Sequence, residues 1–361
     1  MSRIAIIGCG VVGAAIAYEL SLIPGLSITV LDKQPPAQGA TSAALGVLMG
    51  VISHKIKGKA WHLRQTSLQR YETLIPELEA KTGRQILYNR QGILILLNSL
   101  QPEWENLVQI RADQGYNLEI WDIAQVKSKC PQLNLEQFTA AIYSPNDRQV
   151  HPFDLTLALV DAAKRNGVNF QFGVTVEQII SKGGGYQLET SNGKIEIDWL
   201  VISAGLGSTG ITASFTQTVD IKPVLGQALH LRLEKRGGNL DFQPVITAND
   251  IHIVPVGEQE YWVGATVEFP SDAGDVVADP SLLDKVMEQA RAFCPPLSDA
   301  TTIRTWSGLR PRPANRPAPI IGQLPGYDRI LLATGHYRNG VLLAPATAQA
   351  IRDLIMTKSM V

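Results

Sequence analysis

The sequence predicts a mixed α/β chain (α+β in its two-domain arrangement), with one domain doubly wound from strands and helices. The other is a mostly antiparallel β-sheet domain inserted into it. Three observations predict this. A strand, glycine turn, helix and second strand open the chain; a buried strand ending in small residues, LVISAG, stands near the middle; and an apolar block ending in a helix closes it. Strand-rich segments separate these blocks, and 361 residues suit two domains.

Residues 3–7, RIAII, read as a short buried strand, and Gly8, Gly10 and Gly13 follow as GCGVVG before the helix-like AAIAYEL. SITVLDK is the next strand and puts Asp32 at its end, where a carboxylate can accept ribose hydroxyl hydrogens. The glycines let backbone amides and a helix N-terminus approach a pyrophosphate. Glycines used only for tight packing would not require an acid at the end of the second strand, so this is a Rossmann-like dinucleotide site. The opening MSRIAIIGCGVVGAAIAYEL has the outline of a signal peptide, but the glycine spacing favours the nucleotide account. Which dinucleotide is left open by the motif. The second strand runs on into QPPAQGATSAALGVLMG, whose small residues, with Thr41, Ser42 and Gly46, can lie against a flat ring.

From His54 to about Leu78 the pattern is helical, with Trp61, Leu63, Leu68 and Leu74 on one buried face. GRQILYNRQGILILL reads as a hairpin, and Glu103 to Gln114 as a helix. VHPFDLTLALVDAAKRNGVNFQF gives a cap-like start, a helix and a strand, followed by a β-meander through GGGYQLETSNGKIEIDWLVISAG. Its last strand ends at Ala204 and Gly205, where backbone can pass close to a cofactor. QALHLRL, IHIVPV and YWVGATV are strands, and a helix lies near Leu282 to Phe293. Residues 1–55, 148–215 and 306–361 are therefore assigned to a discontinuous cofactor domain, and 56–147 and 216–305 to the substrate domain.

Composition narrows the function. Thirty-two basic and thirty-three acidic side chains leave a net charge of -1, which excludes the footprint of a general nucleic-acid binder. Cys9, Cys130 and Cys294 are scattered, so neither a disulfide framework nor a metal site is expected, and the compartment is read as reducing and cytoplasmic. No apolar run reaches the length of a membrane span.

GCGVVG with Asp32, ATSAALG, VISAG, WSGLRP at 306–311 and GHYRNGVLLAPATAQAIRDLIM together resemble the D-amino-acid oxidase (DAO) family of FAD-dependent oxidoreductases. Within it the chain is most similar to the glycine-oxidising members that serve thiamine biosynthesis. The likeness spans essentially the whole chain. It implies noncovalent FAD, a small amino-acid or amine substrate, hydride transfer to flavin, an imine product, and hydrogen peroxide from molecular oxygen. A homo-oligomer is expected. Two other readings stand beside this one: a D-amino-acid dehydrogenase with a quinone or protein acceptor, and a noncatalytic flavin-binding protein.

The resemblance implies FAD contacts from Gly8, Gly10, Val11, Val12, Gly13, Asp32 and Lys33, from Thr41, Ser42, Ala43, Gly46 and Val47, and from Val176, Ala204 and Gly205. The C-terminal loop adds Gly335, Arg338, Asn339, Gly340, Val341 and Leu342, with a helix start near Val341 aimed at the charge of the reduced ring. Arg310 is implied as the carboxylate anchor, a planar fork matching an α-carboxylate. Arg338 is a second candidate for flavin or substrate. His252 stands where relatives carry a pocket tyrosine; lining the pocket, it would titrate near neutrality. Trp306 is read as core, and His54, His62, His151 and His230 as structural.

Overall fold

The computed structural model describes residues 1–234, 238–271 and 274–359. RIAII forms the strand Ser2–Ile7 at the interior of a six-stranded sheet. Across that sheet the strands run Ile320–Gln323, Ile330–Thr334, Trp199–Ile202, Ser2–Ile7, Leu26–Asp32 and Asn169–Phe172. All neighbours are parallel except the edge pair Ile320–Gln323 and Ile330–Thr334. Parallel strands must be buried on both faces, which explains their near-continuous apolar runs. The helices Val11–Ser21, Pro152–Arg165 and Gly340–Ser359 contribute to the core on one face, joined by Gly58–Thr82. The meander Val176–Lys182, Gly185–Thr190 and Gly193–Ile197 contributes Leu188 and Ile197 to the core on the other.

The second sheet has eight strands, in the order Thr301–Pro313, Ile221–Arg232, Glu260–Gly264, Ile251–Gly257, Val245–Ala248, Ile93–Leu97, Ala140–Ser144 and Glu119–Trp121. Only Val245–Ala248 and Ile93–Leu97 pair in parallel. The strand Thr301–Pro313 keeps register with Ile221–Arg232 along its whole length, from Pro313 opposite Ile221 to Thr301 opposite Arg232, with one irregularity at His230 and Leu231. The boundary placed at residue 306 therefore falls inside one hydrogen-bonded strand. The expected hairpin in GRQILYNRQGILILL does not form. Tyr88–Asn89 pairs with Arg148–Val150 in a small three-stranded sheet, whereas Ile93–Leu97 joins Ala140–Ser144, because each strand finds its hydrogen-bond partner far along the chain.

Two buried ionic side chains shape the stretch after the small-residue segment. The Asp147 carboxylate accepts the amides of Gly50 at 2.7 Å and of Val51 and Ile52 at 2.8 Å. Arg111 donates to the carbonyls of Val51 at 2.6 Å, Ser53 at 2.7 Å and Lys55 at 3.1 Å, and its guanidinium lies 3.7 Å from the Trp61 ring centre. Burial raises the Asp147 pKa and the three amides pull it back. The same loop is thus gripped through its donors by an acid and through its acceptors by a base.

The C-terminal helix Gly340–Ser359 contains Pro345. Proline has no N–H for the carbonyl four residues earlier, so Val341 loses its helical partner. The Tyr71 hydroxyl, fully buried, donates to that carbonyl at 2.5 Å. One turn before Tyr71 on the helix Gly58–Thr82, Ser67 Oγ accepts the Ala346 amide at 3.2 Å. Tyr71→Phe should cost about 1–3 kcal/mol, the penalty for an unsatisfied buried carbonyl. A chemical-denaturation midpoint equal to that of the unmodified protein would show that this bond contributes nothing.

Candidate active site

At the end of Ser2–Ile7 the chain turns through Gly8, whose φ of 103° suits glycine and whose Cβ, were it present, would come within 2.5 Å of the Ser203 carbonyl oxygen. A Cβ on Gly13 would overlap the Gly8 carbonyl, so strand and helix approach more closely than a side chain permits. Gly10 differs: only Thr41 Oγ1, at 3.1 Å, stands near its side-chain position. The helix Val11–Ser21 starts there with no side-chain cap and no acid in its first turn. The Val11 amide donates to Thr41 Oγ1 at 3.0 Å, while Val12 and Gly13 complete the first turn.

Asp32 ends its strand with Oδ2 accepting the Cys9 amide at 2.6 Å and Oδ1 accepting the Gln34 amide at 2.9 Å, which fixes the carboxylate; Lys33 beside it is exposed. Burial pushes the neighbouring Cys9 thiol up to about 12, so it stays protonated. A helix N-terminus that starts on a glycine and is held at its Val11 amide only by Thr41 Oγ1, with an oriented carboxylate one strand away, is the donor and acceptor set a dinucleotide requires. Asp32→Ala should weaken FAD binding at least about tenfold, the loss of one charge-assisted hydrogen bond. Titration of the apoprotein with FAD measures it, and an unchanged dissociation constant would sink the role.

The remaining expected contacts lie on three loops. Thr41 is buried, and Ser42 Oγ bonds the Gly39 carbonyl at 3.1 Å. The Ala43 carbonyl accepts Trp306 Nε1 at 3.1 Å, and a Cβ on Gly308 would overlap Ala43. Gly46 has φ 74° and lies against the Val150 carbonyl, and Val47 begins a two-residue strand paired with Gln149. Ala204 and Gly205 follow the central strand, Gly205 at φ 55° and beside Pro311. Gly335, at φ 67°, abuts Pro313, and the loop then passes Arg338 and Asn339 into the helix at Gly340, Val341 and Leu342. Val176 does not stand with these. It begins the outer meander, opposite Thr190, whereas the buried Val174 gives its amide to the Asp32 carbonyl at 3.1 Å. The chain crosses the end of the Asp32 strand two residues before the expected position, because the strand Asn169–Phe172 already ends at Phe172. Among the described residues no group of three His, Cys, Asp or Glu could hold a metal ion.

Arg310 projects from the strand Thr301–Pro313 and lays its guanidinium over Gly226 of the neighbouring strand, where a Cβ would overlap it. Nη1 donates to the carbonyls of Leu225 and Thr266, both at 3.0 Å. Nε and Nη2 have no hydrogen-bond partner among the described residues. Burial, then the positive charge of Arg338, lowers the Arg310 pKa, partly offset by Tyr337 and Glu268. His252 lies on the strand Ile251–Gly257 with Nδ1 2.9 Å from Thr247 Oγ1. Burial, then the charge of Arg338, pushes its pKa down to about 4; Asp250 pulls the other way, and Arg310 adds a smaller downward push. Arg310, Arg338 and His252 therefore share one electrostatic neighbourhood. His336, inside the C-terminal loop, is a different case: fully enclosed, its Nε2 is 2.9 Å from Thr347 Oγ1, and burial lowers it to about 4.

The expected titration of His252 near neutrality is thus displaced, since two guanidinium groups and burial oppose a third positive charge. His252→Tyr should leave the pH profile of kcat/KM unshifted between about pH 5 and 8. Stability carries the other half of this effect. With folded pKa values near 4 for His252 and His336 and an unfolded value of about 6.5, the unfolded chain binds more protons in that window. Denaturation midpoints should fall as pH drops from about 6.5 toward 4. A flat midpoint across that window would contradict the burial of both rings.

Sequence reasoning passed over Gly226 and the carbonyls of Leu225 and Thr266, and it placed Tyr337 in the glycine-bracketed loop without giving it a role. Gly226 interrupts the strand-like KPVLGQALHLR, and a glycine inside a strand signals a close approach. Tyr337 has φ 53°, rare for a bulky residue, and no sequence signal announces it.

A family model described as FAD dependent oxidoreductase (DAO) matches residues 3–354. Glycine oxidase of Geobacillus kaustophilus is 28% identical over 358 residues, covering 98% of this chain and 93% of that protein. The bifunctional protein ThiO/ThiG of Nostoc sp. is 32% identical over 356 residues, covering 98% of this chain and 52% of that longer protein. The crystal structure of glycine oxidase from Geobacillus kaustophilus superposes with a TM-score of 0.88 at 26% identity, covering 99% of this chain and 95% of that one. A glycine-cradled helix N-terminus and an oriented Asp32 carboxylate, within a match running from residue 3 to residue 354, place this chain in the FAD dependent oxidoreductase (DAO) family.

Proposed function

We propose that the chain oxidises glycine or another small amino acid or amine, as its similarity to proteins named glycine oxidase suggests. The observation that carries this is Arg310: a half-fixed guanidinium with Nη1 held by two carbonyls and its remaining donors open, beside Arg338 and a neutral His252. A substrate carboxylate fits the open edge of that fork. Arg338 adds a second positive charge, and His252, kept neutral, adds no third charge against the substrate amine. Gly226 and Thr266 fix where the carboxylate sits and so where the α-carbon is presented. The glycine turn, Asp32 and the three loops would hold FAD, which would supply the acceptor for the α-hydrogen and its electron pair. The amine becomes an imine, which water hydrolyses to an oxo acid and ammonia. Molecular oxygen would take the two electrons with two protons and leave as hydrogen peroxide.

The same similarity supports noncovalent FAD, a role in thiamine biosynthesis, a homo-oligomer and a cytoplasmic setting. No helix among the described residues is long and apolar enough to cross a membrane. The test is anaerobic mixing of the yellow holoprotein with glycine, N-methylglycine, proline and D- and L-amino acids. Bleaching by a small amino acid, followed by oxygen uptake and peroxide without added acceptor, is the expected result. Bleaching without oxygen uptake would assign a quinone or protein acceptor, and no bleaching by any amine would refute catalysis.

A further inference from the structure

On the reading of Arg310 as carboxylate anchor, on which this inference rests, a second guanidinium, Arg312, lies two residues along the same strand. Side chains two apart on a strand share a face, so Arg312 projects beside Arg310 with Cα atoms separated by roughly 7 Å. The Arg312 guanidinium lies 5.3 Å from the centre of the Phe269 ring and 5.8 Å from that of Tyr337. Phe269 is 56% exposed, so this cluster forms the rim of the site. Tyr337 joins the two arginines: its ring touches Arg312, and its hydroxyl is near enough to act on the charge of Arg310. The left-handed backbone of Tyr337, φ 53°, is a conformation a bulky residue adopts only when its surroundings enforce it.

None of Arg310, Arg312 and Arg338 forms an ion pair with an acid among the described residues. Glu268, the acid whose charge acts on Arg310, has its oxygens taken by Gln227 Nε2 at 2.9 Å, Thr266 Oγ1 and the Asp279 amide at 2.8 Å. Aromatic rings engage the face of a guanidinium and leave its in-plane N–H groups free, so Arg312 is held in place with its carboxylate-binding edge open. One monocarboxylate satisfies Arg310 and leaves Arg312 unused.

We propose that Arg312 binds a second carboxylate, making this chain selective for small amino-dicarboxylates, either acidic amino acids or glycine carrying a carboxymethyl group on nitrogen. The neutral amides of the same substrates keep shape and length but lose the charge. The holoenzyme should be assayed anaerobically by flavin bleaching, which is independent of the electron acceptor, with glycine, N-carboxymethylglycine, D-aspartate and D-glutamate, and with D-asparagine and D-glutamine as the paired amides. The bleaching efficiency of a diacid should exceed that of its amide by about tenfold or more. Arg312→Met should bring this ratio close to one, and Arg312→Lys should restore part of it, with FAD content and thermal midpoint as checks on folding. Equal rates for diacids and amides in the unmodified enzyme, or an unchanged ratio in Arg312→Met, would overturn the proposal. Bleaching by glycine with no diacid preference removes only this inference, whereas no bleaching by any amine removes the oxidase reading as well.

Discussion

Arg310→Met should lower kcat/KM for glycine by about thirty- to several-thousandfold, the consequence of about 2–5 kcal/mol for a buried carboxylate left without its partner. Methionine keeps much of the length and apolar stem of arginine and removes the fork. The carbonyls of Leu225 and Thr266 also lose their donor, so a part of any loss could come from a disturbed strand edge. A simple amine lacking a carboxylate separates the two causes. If Arg310 is the anchor, the amine is oxidised equally by both enzymes, because it never used the guanidinium. If the amine is penalised as heavily as glycine, Arg310 is a strut between strands and Arg338 becomes the next candidate. FAD content should match the unmodified protein, because the hydrogen bonds of Arg310 go to the carbonyls of Leu225 and Thr266 and to none of the proposed cofactor residues Gly8, Gly10, Asp32 and Thr41.

What could be read from the sequence follows how local each determinant is. GCGVVG announces its turn because the glycines, strand and helix are contiguous, and the helices Pro102–Asp113 and Pro280–Phe293 both open on a proline in the first turn, a local start signal. The hairpin expected in GRQILYNRQGILILL failed because two adjacent strands can each pair with partners far along the chain. Asp147 and Arg111 could not be singled out for the same reason. Each is an ordinary polar residue until the fold carries residues 50–55 between them. Val176 begins the outer strand Val176–Lys182 while Val174 bonds the Asp32 carbonyl, and nothing local in FGVTVEQI marks where one strand yields to the next. Sequence similarity brought Arg310, Arg338 and His252 forward as candidates, while their mutual electrostatics required three dimensions. His252 shows the difference most plainly, because burial and two cations move its titration to about 4, where composition alone leaves it near neutral.

Gly226→Ala should lower kcat/KM for amino acids by about a hundredfold while leaving the fold intact, the scale on which an ångström of misplacement costs an enzyme. The backbone at Gly226 is ordinary strand with no positive φ, so alanine meets no conformational penalty there. The only obstacle named by geometry is the end of the Arg310 side chain, whose Nη2, Cζ and Nη1 are the three nearest atoms to the new methyl. A flexible side chain yields before a paired strand does, so the guanidinium must leave the carbonyls of Leu225 and Thr266 and swing away from the carboxylate position. Thermal midpoint and FAD content should therefore stay near those of the unmodified protein, and the loss should be concentrated on substrates with a carboxylate. Combining Gly226→Ala with Arg310→Met then gives a coupling test. Once the guanidinium is gone the methyl displaces nothing that binds substrate, so the double variant should be little worse than Arg310→Met alone. Fully additive losses would mean that Gly226 acts through the strand rather than through Arg310.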